Sequence, residues 1–123
     1  MEVYDRDGHL VPGTQDEVML WYGEHVADFA YKVVAQDTTD EFLVSTIWLG
    51  LDHGFGDHPT PLIFETMVFD RRDTGRPDSM LDLMCERYPT EKQAREGHEA
   101  MLFAITHWPE QFRETRDELL REE

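Results

Sequence analysis

The chain has 123 residues, 27 of them Asp or Glu and 11 Lys or Arg, for a formal net charge of −16 at pH 7. With 40% apolar and 31% charged residues, the composition is globular rather than disordered, and the length suits one domain around one core. The charge excludes a sequence-independent nucleic-acid binder and an anionic-membrane binder, because phosphate attraction requires Lys and Arg on the contact face.

No apolar run approaches the ~18 residues of a transmembrane helix. The start, Met1 to Asp5, lacks the basic and apolar regions of a signal peptide, so a cytoplasmic domain is expected. The chain has one cysteine, Cys85, which excludes an internal disulfide and a Cys-based zinc site. In its strand it reads as a buried, inert thiol. The acid is uneven. Residues 1–69 hold 13 acidic side chains against Arg6 and Lys32, a net of −11, whereas residues 70–123 hold 14 against nine, a net of −5.

In chain order, Val3 to Val11 reads as a hairpin, with Asp7-Gly8 supplying the positive φ angles of a tight primed turn. Asp5 and Asp7 alone do not make a calcium loop, since no Glu follows at the required spacing. Thr14-Gln15-Asp16-Glu17 is a capping box opening a helix over about 15–28. Strands are predicted over 31–36, 42–51 and 62–69, where β-branched and aromatic residues concentrate, with a fourth from 81 to 88. Thr90 and Gln93 form a second capping box. The helix it opens carries an apolar-facing stripe of Ala94, His98, Met101 and Ile105, with Gly97 leaving room for close packing. Pro109 interrupts, and Phe112, Arg116 and Leu119 mark a last helix. Trp48 falls in the core and Trp108 reads as a partly exposed anchor.

The expected architecture is an α+β domain: a mostly antiparallel meander of three or four strands with helices on one face. One domain covers 1–123, divided into an N-terminal hairpin (1–13), the α+β core (14–106) and a C-terminal helical tail (107–123).

Chemistry concentrates between the second and third strands, where ten residues from Asp52 to Pro61 replace the two to five of an ordinary hairpin loop. This connection carries two His and two Asp, and Phe55, Asp57 and His58 mark it as an interaction loop. Glu65 sits among large apolar neighbours, and His98 lies in the middle of a packed helix stripe. If that helix crosses the sheet near the loop, Asp52, His53, Glu65 and His98 converge. Two imidazoles and carboxylates so placed suit acid–base chemistry, hydrolysis included, or a divalent metal, the one cofactor class this set would take. A solvent-facing Glu65 and a hydrogen-bonded core His98 are the plainer readings. Arg71, Arg72 and Arg76 are the clustered donors that an anionic, nucleotide-like ligand would need.

Four segments carry a resemblance: Tyr4 to Gly8, Val44 to His53, Pro61 to Phe69, and Arg87 to Thr90 with Gly97-His98-Glu99. Together they resemble a group of short uncharacterised proteins encoded by bacteriophages of actinobacteria and by related bacterial genomes. The resemblance implies expression inside a bacterial cell and implies no activity. The functional expectation is therefore a small acidic accessory protein that binds a basic host or defence protein, and not nucleic acid or membrane, through its electronegative surface and the 52–61 loop. An exposed edge strand would also allow a homodimer.

Overall fold

The computed structural model describes residues 2–52, 60–71 and 81–121. Its elements are α1 (Gln15–Val26), α2 (Phe29–Lys32), β1 (Val33–Thr38), β2 (Phe42–Trp48), β3 (Phe64–Asp70), β4 (Asp82–Tyr88), α3 (Glu91–His107) and α4 (Pro109–Arg121). The strands form one sheet in the order β1-β2-β3-β4, each pair antiparallel, and α3 touches all four. This is the expected α+β meander. No helix among the described residues is long and apolar enough to cross a membrane.

The N-terminal hairpin forms with a different turn from the one expected. Asp5 N–H donates to His9 O and Gly8 N–H to Asp5 O, at 2.9 and 3.0 Å, so three residues rather than two make the loop. Gly8 carries a positive φ of 87°, as a type I turn closed by a glycine bulge requires. The hairpin docks on the core through Trp48 Nε1, which donates to Tyr4 O at 2.8 Å, the Tyr4 amide, which donates to Gly50 O at 2.8 Å, and Arg6, which grips both oxygens of Glu91 and donates to Tyr31. The Arg6 hydrogen bond holds the Glu91 carboxyl below its ordinary value.

The Thr14–Glu17 capping box forms in full. The first strand begins later than expected, because Asp28 caps a four-residue helix, accepting from the amides of Ala30 and Tyr31. That extra turn swings Tyr31 inward, edge-on to Trp48 with ring centroids 5.0 Å apart. The aromatic Tyr31 had made the segment look like strand, yet a local side-chain cap decided its conformation.

Inward positions alternate along each central strand. Trp48 and Phe64 join Val3, Val18, Val34 and Ala94 in one apolar cluster; Phe42, Val44 and Val68 join Met101, Ile105 and Phe112 in another. Between the clusters lie Thr46, Thr66 and His98, each at most 1% exposed. The α3 stripe is buried as its spacing predicts. Gly97 lets that helix approach β4: a Cβ there would lie 2.1 Å from Tyr88 Oη and 2.3 Å from its Cζ.

Gly97→Ala sets two effects against each other. Alanine gains about 0.8–1.0 kcal/mol of helix propensity, whereas overpacking costs about 1–3 kcal/mol. Tyr88 is buried and cannot simply swing away. The expected result is a net loss of up to about 2 kcal/mol, read as a lower urea midpoint. A raised midpoint would contradict the close approach.

Candidate functional site

His98 is held on both ring nitrogens. Nδ1 lies 2.7 Å from Thr46 Oγ1, and Nε2 lies 2.7 Å from Asp37 Oδ2. Thr46 continues to Thr66 Oγ1 at 2.6 Å. Asp37 belongs to β1, pairs with Val44 in the ladder, and so projects to the same face as the inward residues of β2. A carboxylate only accepts, so Nε2 carries a proton. In the neutral ring, Nδ1 then accepts from the Thr46 hydroxyl. The order Asp37–His98–Thr46 has the form of a nucleophile relay. Thr46, however, is fully buried and already bonded to Thr66, so its oxygen meets no solvent and no substrate. The arrangement is a satisfied core network.

The other predicted site residues do not join it. Glu65 is next to Thr66 in β3 and therefore faces the opposite side of the sheet from His98. It is 7% exposed and pairs with Arg87, its register partner in β4, at 3.0 Å. The solvent-facing reading of Glu65 is thus replaced by a cross-strand ion pair. Asp52 accepts from the Leu62 amide at 2.9 Å and so ties together the two ends of the long connection. His53, Phe55, Asp57 and His58 lie outside the described residues. Among the described residues, Asp52, Glu65 and His98 form three separate contacts rather than one site.

Cys85 faces the same side as Glu65 and is exposed, not buried as its strand position suggested. Partial desolvation of the sulfur by its neighbours first, then the Glu65 carboxylate, push its thiol up to about 11. Such a thiol holds little thiolate at neutral pH and is a poor nucleophile or metal ligand. Asp5, Asp7 and His9 place ligand atoms within 4.8 Å of one another. Asp5 Oδ1 already accepts the amides of Asp7 and His9, which accounts for the grouping as turn chemistry. Arg71 is engaged in structure, donating to Thr39 O at 2.6 Å, and Arg72 and Arg76 lie outside the described residues.

Two features escaped the sequence reading. One is Asp37, which lies one residue beyond the strand expected over 31–36 and on β1 only because that strand runs to Thr38. The other is the clamp at Glu41, which pairs with Arg113 and, at 3.3 Å, with the buried Arg116. An arginine standing in the apolar stripe of α4 was its visible sign. Glu41 raises the pKa of Arg113 through their hydrogen bond. Beside this clamp opens a groove of about 220 Å³, floored by Phe42 and Ile105. No protein-family model, curated protein or solved structure matches the chain.

The network has a deep end and a wet end, which separates two substitutions. Thr46→Val leaves His98 and Thr66 short of a partner in the core and costs about 1–3 kcal/mol. Asp37, with its side chain 47% exposed, gives water access to the other end, so Asp37→Asn costs less. Denaturant unfolding of both variants checks the order; an equal or reversed cost would contradict the network.

Proposed function

We propose that the chain is a small non-enzymatic binding protein of the phage accessory type, which captures a basic host or defence protein through its electronegative surface and the 52–61 loop. The observation that carries this reading is the placement of charge. Residues 1–69 have a net charge of −11. Glu2, Asp16, Glu17, Glu24 and Asp28 are all exposed along the hairpin and first helix. Of the two cations in this half, Arg6 is already taken up by Glu91. The remaining carboxylates act together over a Debye length of ~8 Å at physiological salt, which favours encounter with a cationic surface and repels anions. A homodimer fits this reading poorly, because it would bring two chains of −16 together.

Asp52 supports a role for the long connection, since its carboxylate accepts from the Leu62 amide and brings the two ends of that connection together. The inert thiol and the buried, satisfied histidine support a non-enzymatic reading.

The immobilised protein is expected to retain a basic partner from actinobacterial lysate at low salt and to release it as salt rises. A variant carrying Glu2→Lys, Asp16→Lys and Glu24→Lys should lose that retention while keeping its melting profile. Failure to retain anything at low salt, or retention indifferent to both salt and these substitutions, would refute the proposal.

A further inference from the structure

The corner between α3 and α4 presents three aromatic rings to solvent. Phe103 and Trp108 are 50% and 55% exposed, and His107 between them is exposed as well. Phe103 and His107 stack with centroids 3.9 Å apart and planes 18° apart, and Trp108 stands edge-on to Phe103 at 5.3 Å. The rings are held in place. His107 Nδ1 bonds Phe103 O at 2.9 Å, and the Trp108 amide caps α3 by donating to Ala104 O at 2.7 Å. A helix end that invests its large apolar side chains in solvent rather than in either core cluster is a surface awaiting a partner.

The surroundings of this platform are acidic. Glu99 lies one helical turn before Phe103 on the same exposed face, and Glu110 follows Trp108 by two residues. Thr106 and Pro109, which bracket His107 and Trp108 in the chain, line the groove floored by Phe42 and Ile105, and exposed Asp40 stands on its rim. Arg113, also lining the groove, is paired with Glu41 and reaches Glu110 at 3.5 Å, so it adds little free positive charge and offsets part of the Glu110 charge, leaving Glu99 and Asp40 as the stronger attractions. Exposed ring faces bordered by carboxylates match one side chain above others. A guanidinium is planar and weakly hydrated; it stacks on aromatic faces while its edge donates to carboxylates. A lysine ammonium meets the same charge but loses the stacking. A second copy of this chain would bring its own carboxylates to the corner and is repelled.

We infer that the Phe103–His107–Trp108 corner, with Glu99, Glu110 and Asp40 around it, is a docking surface for an arginine-bearing segment of a basic protein. This inference rests on the basic-partner reading above and assigns it a contact residue type and a place on the fold.

The test titrates the full chain with two synthetic ten-residue peptides of equal charge, one alternating Arg and Ser and the other Lys and Ser, at low salt. Binding is followed by tryptophan fluorescence and calorimetry. The arginine peptide should bind about two- to fivefold more tightly than the lysine peptide. Trp108→Ala and Phe103→Ala, both at exposed positions, should remove that preference while leaving the weaker, charge-driven binding and the melting temperature in place. Equal binding of the two peptides, or a preference that survives both substitutions, would overturn the corner as the docking surface and leave the basic-partner reading standing. No binding of either peptide at low salt would overturn both.

Discussion

A line of hydrogen bonds through the middle of the core, Thr66–Thr46–His98–Asp37, links β3, β2, α3 and β1, and the arrangement of the domain follows from keeping it intact. It separates the two apolar clusters. Along β2 the inward sequence is Trp48, Thr46, Val44, Phe42; along α3 it is Ala94, His98, Met101, Ile105. Apolar surface supplies most of the stability but tolerates sliding, whereas a buried polar group left without a partner costs about 1–3 kcal/mol. A strand slipped by one residue would send Thr46 or Thr66 to the other face and strand the imidazole. The polar seam therefore fixes register, and Gly97 beside it fixes how closely α3 can lie on β4.

That seam accounts for the histidine. A His in mid-stripe near two carboxylates suggests an acid or a base. In the folded chain it is a cross-brace, closed on both nitrogens. Glu65 is used in the same way on the other face, as half of a cross-strand pair with Arg87. Asp52 fastens a loop base, Asp28 caps a short helix, and Glu41 clamps α4. Carboxylates bonded in structure are thus distinct from those left in water. The second set, concentrated on the hairpin, α1 and the α3–α4 corner, is available to a partner.

Much of the fold was legible because period and caps are local. Thr14 with Glu17 and Thr90 with Gln93 mark helix starts without reference to the rest of the chain, and the buried stripe of α3 follows its spacing alone. What the sequence left open were relations between segments. Nothing near Thr46 or Thr66 distinguishes a buried hydroxyl from an ordinary strand former. Asp37 acquires its role only when β1 pairs in one register with β2. The same holds for the expected convergence of Asp52, Glu65 and His98: adjacent positions in β3 face opposite sides, so helix placement decided which one His98 could meet. Trp108, by contrast, was readable as an exposed anchor, since Pro109 breaks the helix that would otherwise carry it into the core.

The central claim is that the histidine seam belongs to the packed core, where it sets register, and that the proposed binding needs only the acidic, aromatic surface. Its most direct test is the affinity of the triple variant Thr46→Val, Thr66→Val, His98→Leu for the arginine peptide. Replacing the three buried polar groups together leaves only the Asp37 carboxylate without its partner, and that side chain is half exposed and can turn to water, so the chain can remain folded. The account predicts a folded variant whose peptide affinity equals that of the parent. A variant that folds with the parent's circular dichroism spectrum yet no longer binds would place function in the seam and contradict it.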